Sequence, residues 1–268
     1  MPVASLPTYD LALHRARLEE RGYDVLPGFM EPQLVARLRQ HIDQLLGPPA
    51  TTPGGAVREL RHPITGDILA EILYREPLIA LAMDELGITA RGDLRLLEQV
   101  LIRTDPAEHG GGPGGWHIDM AFAPEDFAAT PKRTYYHHVQ ALSDVAPGGG
   151  SFMIVPGSHR LTYAAAAGLD AEGLKRLHAD PAGLAGVDLT QGIEVTARSG
   201  DLIVFNPMCV HAGSVNRTSQ PRYVYFSSFG DISAQRLWQQ LKDTNYRKPW
   251  PSALIEHRPA ELAKLLEL

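Results

Sequence analysis

Apolar positions recur at helical spacing in the first third of the chain, then in short runs between polar turns in the second half. Asp10 can cap a helix running to about Arg21, and Gly22 can stop it. Gly22 to Leu26 reads as a short strand and Pro27-Gly28 as a turn. Glu31-Pro32 opens a second helix, with Leu34, Val35, Leu38, Ile42 and Leu45 on one face. Residues 47–66, rich in Pro, Gly and Thr, predict a loop. A helical pair follows from Asp67 to Leu86, then a strand from Leu94 to Ile102 with Gln99 inside it and Arg103 at its end.

Beyond Gly115 the pattern turns to strands. Thr134–Leu142, Ser151–Val155, Ile193–Thr196, Asp201–Phe205, Val210–Val215 and Arg222–Phe229 are the runs, and Pro147–Gly150, Ser199–Asp201 and Asn216-Arg217 are turn signals. Pro156–Arg160 reads as a tight turn in which His159 hydrogen-bonds locally, and residues 161–192 as an inserted helix and loop. Ser233–Leu241 and Pro259–Leu266 are terminal helices. Short strands with polar turns predict a mainly β double-stranded β-helix, a cupin-like jelly roll, flanked by N-terminal and inserted α-helices. Residues 1–268 read as a single domain: helical to about 93, jelly roll from about 94 to 231, and C-terminal helices from about 232 to 268.

Composition narrows this picture only by exclusion. A net charge of −6 leaves no electrostatic footprint for nucleic acid. One cysteine, Cys209, rules out an internal disulfide and a cysteine-built zinc site, and fits a reducing cytoplasm. No apolar run approaches the ~18 residues of a membrane span, and Met1 to Ser5 does not read as a signal peptide. The expected partner is a small molecule, neither nucleic acid nor membrane, and the oligomeric state is not legible.

Candidate chemistry centres on Trp116-His117-Ile118-Asp119. A His and an Asp two residues apart on a strand point to the same face. They supply two of the three protein ligands of a 2-His-1-carboxylate facial triad, the arrangement of non-haem Fe(II) oxygenases, and His211 is placed to be the third. The glycine-rich run His109–Gly115 invites a phosphate-loop reading. No Gly-Lys-Ser/Thr follows it, so a connector ahead of the metal strand is the better description, and His109 is not read as a ligand. Met120–Lys132, with Phe122 and Phe127, is either a lid or a surface loop anchored by its two rings. In Tyr135-Tyr136-His137-His138 only one of the paired histidines can face a shared site; His137, in phase with Tyr135, is either a pocket wall or a structural histidine.

The chain resembles the phytanoyl-CoA dioxygenase family of Fe(II)- and 2-oxoglutarate-dependent oxygenases. The likeness runs through Gly22–Phe29, Trp116–Asp119, Ala141–Gly150, Val155–Arg160, Gly200–Phe205, His211–Asn216 and Pro221–Tyr223. The resemblance implies iron on His117, Asp119 and His211. It also implies Arg222, eleven positions after His211, for the distal carboxylate of 2-oxoglutarate. A guanidinium suits that task because it pairs with a carboxylate in bidentate fashion. Gln99 resembles a cosubstrate-binding glutamine of some relatives. Ser214 stands one residue beyond the place where a hydroxyl often assists the arginine. Arg103 is a further cosubstrate or substrate candidate, and Trp116, Phe122, Tyr135 and His137 are candidate pocket walls.

The chemistry implied is oxidation of an unactivated C–H of a small-molecule metabolite, a natural-product intermediate, with O2 consumed and succinate and CO2 released. A carboxylate at Asp119, where related halogenases carry a small residue, favours hydroxylation or another oxidation over halogenation. Two alternatives stay open on the same frame: a cupin-like metal enzyme that does not use 2-oxoglutarate, and a non-catalytic binding protein.

Overall fold

A computed structural model describes residues 9–49, 57–60, 66–107, 114–119, 122–128, 134–232 and 250–267. Helix α1, Leu11–Arg21, begins where the Asp10 side chain accepts from the Leu13 amide and ends at Gly22, whose φ of 78° is left-handed. A side chain at Gly22 would also strike Cys209 Sγ and the His159 ring, so the position admits little else. Strand β1 is Tyr23–Leu26 and helix α2 Pro32–Leu46. Leu34, Val35, Leu38 and Ile42 are buried as the periodicity predicts, whereas Leu45 is exposed. The expected loop over 47–66 contains strand β2, Val57–Leu60, which pairs with β3, Arg95–Thr104. The expected helical pair is present as α3, Ile68–Leu73, and α4, Glu76–Leu86.

The remaining strands are β4, Gly114–His117; β5, Tyr135–Ala141; β6, Phe152–Ile154; β7, Ile193–Val195; β8, Leu202–Phe205; β9, His211–Gly213; and β10, Arg222–Gly230. Among the described residues, six strands form one antiparallel sheet in the order β1-β8-β5-β10-β3-β2, and four form a second in the order β4-β9-β6-β7. These are the two sheets of a jelly roll. A short helix α5, Pro124–Ala128, follows β4. The insert between β6 and β7 is three helices, α6 Ser158–Ala166, α7 Ala171–Ala179 and α8 Pro181–Ala185. The tight turn expected over Pro156–Arg160 gives way to helix at Ser158, and His159 Nε2 reaches the distant Glu19 carbonyl rather than a local group. Near the C-terminus, helix α9 is Ser252–Glu256, and the helix expected from Pro259 is only a single 3-10 turn, Ala260–Leu262. The helix expected over Ser233–Leu241 and the tip of the glycine-rich run, with His109, lie outside the described residues.

The larger sheet is buried on both faces. Its outer face packs Leu202, Val204, Tyr223, Tyr225 and Phe229 against helices α1 to α4. Its inner face packs Val139, Ile203, Phe205 and Val224 against Phe152 and Ile154 of the smaller sheet. Each such side chain contributes roughly 1.5–3 kcal/mol by leaving water. The outer layer also holds a buried ionic chain: His14 bridges Asp24 (2.9 Å) and Glu85 (2.9 Å), and His138 meets the other oxygen of Glu85 at 2.8 Å. His138 therefore serves the helix layer, which leaves its neighbour His137 to face inward.

Candidate metal centre

Strand register brings the three predicted ligands together. His117 ends β4 and lies directly opposite His211 of β9, so both imidazoles project from one face of the smaller sheet, ring centroids 4.3 Å apart. Asp119 follows two residues later, beyond the last β4–β9 pair, and its amide donates to the Pro207 carbonyl at 2.9 Å. One ligand atom from each of His117, Asp119 and His211 falls within 4.8 Å of the others. His211 Nε2 is 3.1 Å from Asp119 Oδ2, and His117 Nε2 is 3.6 Å from Asp119 Oδ1.

The ring nitrogens on the far side of each imidazole are already committed. His117 Nδ1–H donates to the Gly115 carbonyl at 2.7 Å, and His211 Nδ1–H donates to the Cys209 carbonyl at 2.9 Å. Each bond selects the tautomer whose Nε2 lone pair faces Asp119, as in metal-binding histidines. Two neutral nitrogens and a carboxylate on one side of a cavity fit a divalent first-row metal with open positions opposite. The electrostatics agree. Burial alone would raise Asp119, but the His211 and His137 imidazoles hold it well below the usual carboxylate range. Burial and the neighbouring His211 lower His117; for His211 the Asp119 carboxylate outweighs burial and raises it.

Arg222 opens β10 and shares its inward-facing parity with Val224, Phe226 and Ser228. Its Nε is buried without a hydrogen-bond partner among the described residues, and burial alone pushes its pKa down to about 10. An arginine whose Nε is desolvated and has no acid beside it among the described residues is a receptor for an anion.

The other candidates divide. His137 Nε2 lies 3.2 Å from Asp119 Oδ2, beside the predicted ligands. Tyr135 donates its hydroxyl to the Asp119 carbonyl at 2.6 Å and meets the His137 ring edge-on; Phe122 packs on Tyr135 and Phe127, forming one aromatic wall. Trp116 points away from His117 and packs over Gly192 of the insert, where a Cβ would stand 2.6 Å from the indole. Gln99 and Arg103 are on the wrong face. Gln99 lies opposite Ser227, accepts from Tyr225 in the helix layer and is fully buried there. Arg103 pairs with Asp43 (3.0 Å) and Asp105 (2.9 Å), tying the end of α2 to the sheet. Ser214 bonds Ser151, whose hydroxyl donates to Glu194, and makes no bond to Arg222. For the stretch expected as lid or surface loop, helix α5 and its Phe122–Phe127 contact are described and the flanking residues are not.

Sequence reasoning passed over Ser228, whose Oγ is 2.6 Å from His137 Nδ1, and Phe205 and Phe226, whose rings each lie 4.7 Å from the His137 ring. Ser228 and Phe226 share the strand phase of Arg222, so alternation along β10 was the available signal.

The sequence profile of the phytanoyl-CoA dioxygenase (PhyH) family matches residues 18–224. No curated protein sequence matches the chain. Several solved structures share the fold. The epimerase SnoN in complex with Fe3+, alpha ketoglutarate and nogalamycin RO superposes with a TM-score of 0.61 at 21% identity, over 82% of this chain and 83% of SnoN. EvdO2 from Micromonospora carbonacea var. aurantiaca, complexed with 2-oxoglutarate, gives 0.61 at 23%, over 85% and 94%. HygX from Streptomyces hygroscopicus, with nickel and 2-oxoglutarate bound, gives 0.57 at 19%, over 84% and 87%.

Proposed function

The chain belongs to the phytanoyl-CoA dioxygenase family and is a 2-oxoglutarate-dependent non-haem iron enzyme; from that premise we propose that it oxidises an unactivated C–H of a small natural-product intermediate. His117, Asp119 and His211 hold the iron, and Arg222 binds the distal carboxylate of 2-oxoglutarate. The observation that carries the reading is the convergence of three ligand atoms within 4.8 Å on the inner side of the jelly roll, with an arginine on the facing sheet whose buried Nε has no partner among the described residues. Relatives of the same fold support it: SnoN with Fe3+, alpha ketoglutarate and nogalamycin RO, and SnoK described as a carbocyclase from nogalamycin biosynthesis.

Bound iron with 2-oxoglutarate and O2 supplies the oxidising power, and the cosubstrate leaves as succinate and CO2. The protein contributes placement. The Gly115 and Cys209 carbonyls orient the two imidazoles. The Arg222 charge selects a dicarboxylate of matching length over a monocarboxylate. Phe122, Tyr135 and Phe205 form apolar walls that keep water from the oxidation.

The test is anaerobic. Adding Fe(II) and 2-oxoglutarate to the purified protein produces the weak visible charge-transfer band of a chelated iron, and Asp119→Ala abolishes both iron retention and the band. Iron binding without any band would refute the cosubstrate assignment and leave a cupin-like metal enzyme; full band formation by Asp119→Ala would refute the triad.

A further inference from the structure

Asp119 is the one member of the triad that no regular strand holds. Its backbone is pinned at two points, by the Pro207 carbonyl on its N–H and by the Tyr135 hydroxyl on its C=O (2.6 Å). Its side chain is a third exposed and has two free torsions. Besides the two ligand imidazoles, the group that reaches it is His137 Nε2, at 3.2 Å from Oδ2.

His137 is itself immobilised. It lies directly across from Ser228 in the β5–β10 register, and Ser228 Oγ stands 2.6 Å from Nδ1. Phe205 and Phe226 each lie 4.7 Å from its ring, and Tyr135 meets it edge-on at 5.1 Å. Only one neutral tautomer suits both contacts: the Ser228 hydroxyl donates to Nδ1, and Nε2–H, buried without a hydrogen-bond partner and 3.2 Å from Oδ2, is the donor that a small turn of the carboxylate would engage. A carboxylate has about four acceptor sites, so this bond leaves room for a cation on the same group.

We propose that His137 is a positioning residue for the metal centre, a third imidazole that holds the Asp119 carboxylate in its ligating orientation through a Ser228–His137–Asp119 relay. The inference rests on the reading of His117, Asp119 and His211 as the metal ligands. It replaces the pocket-wall role that strand parity alone suggested for His137. Strand β5 then serves the site twice, with Tyr135 on the Asp119 backbone and His137 on its side chain.

The experiment is calorimetric titration of the apoprotein with Co(II) in the absence of 2-oxoglutarate, with the visible ligand-field spectrum of the bound Co(II) recorded alongside. His137→Phe fills the same aromatic cage without a donor and should lose about 10- to 100-fold in Co(II) affinity, the range for lost outer partners of metal ligands, with an altered spectrum. His137→Gln, which keeps an N–H donor, should recover most of that loss. Ser228→Ala, which removes only the hydroxyl fixing the tautomer, should lose affinity in the same direction by a smaller factor, and it reads the relay even if His137→Phe folds poorly. Once Co(II) is saturating, 2-oxoglutarate affinity should match wild type in all three. Wild-type Co(II) affinity and spectrum in His137→Phe, with a change confined to 2-oxoglutarate or substrate binding, would overturn the proposal in favour of direct contact. Loss in His137→Phe with no recovery in His137→Gln would overturn it in favour of His137 as a ligand. Asp119→Ala separates the two levels: if it binds Co(II) like wild type, the triad itself is wrong, whereas if it loses Co(II) while His137→Phe does not, only the positioning role falls.

Discussion

Replacing Arg222 with methionine should move stability and cosubstrate binding in opposite directions. Its Nε is buried with no carboxylate beside it among the described residues, and burial brings its pKa down to about 10. Against the ordinary arginine value of about 12.5, that drop corresponds to about 3 kcal/mol held against the folded state. The sign follows from the direction: a base whose folded pKa is depressed destabilises the fold wherever it is charged, so at neutral pH the whole cost is present, and it fades only above about pH 10. Met keeps the apolar stem and removes the charge. Allowing for imperfect repacking, Arg222→Met should stabilise the ligand-free protein by about 1–2 kcal/mol, a rise in Tm of about 2–6 °C for a chain of this size. The same change removes two charge-assisted hydrogen bonds to a dicarboxylate, worth about 1.5–3 kcal/mol each, so 2-oxoglutarate affinity should fall by about 100-fold or more. The assay is thermal unfolding with and without saturating 2-oxoglutarate on the anaerobic Fe(II) protein, where wild type gains stability from the ligand and the variant does not. A variant less stable than wild type that still binds 2-oxoglutarate normally would refute the reasoning, because Arg222 would then be an ordinary structural arginine.

Three further outcomes follow from the same geometry. His211→Ala should lose iron on dialysis, measured as metal per protein, while circular dichroism keeps the wild-type fold. Gln99→Ala should leave 2-oxoglutarate affinity at the wild-type value, because the residue faces the helix layer; a large loss of affinity would return Gln99 to the site. The buried chain at His14 predicts a pH dependence. Burial opposes its charge, but Asp24 and Glu85 raise its pKa to about 9, so its contribution is complete below about pH 6.5 and is lost as pH rises through 9. Denaturant midpoints should fall over that window in wild type, and removing the facing acid in Glu85→Gln should cost about 3–5 kcal/mol at neutral pH and flatten the trend.

Most elements were legible because their signals are local. The Asp10 cap, the left-handed Gly22, the helical face of α2 and the strand runs from β5 to β10 each depend on a few adjacent residues. The misses come from contacts between distant parts of the chain. Strand β2 hides in a Pro- and Gly-rich stretch because its pairing with β3 is long-range, and Ser158 starts a helix because its hydroxyl bonds both the Val155 carbonyl and the distant Val210 amide.

What the sequence alone determined is the chemistry available: a His-x-Asp pair, a distant histidine, and an arginine eleven positions after it. Tertiary structure decided which polar residues share the cavity. Strands β3 and β10 are buried on both faces, so apolar alternation cannot mark the inner one, and only pairing does. Register set Gln99 opposite Ser227 and outward, and set Ser228 opposite His137 and inward. That same register split the adjacent histidines of β5, sending His138 to Glu85 in the helix layer and His137 to the carboxylate at the metal centre. Side chains two residues apart share a face by covalent geometry, but which face looks at the iron site is settled by hydrogen bonds between strands far apart in the chain.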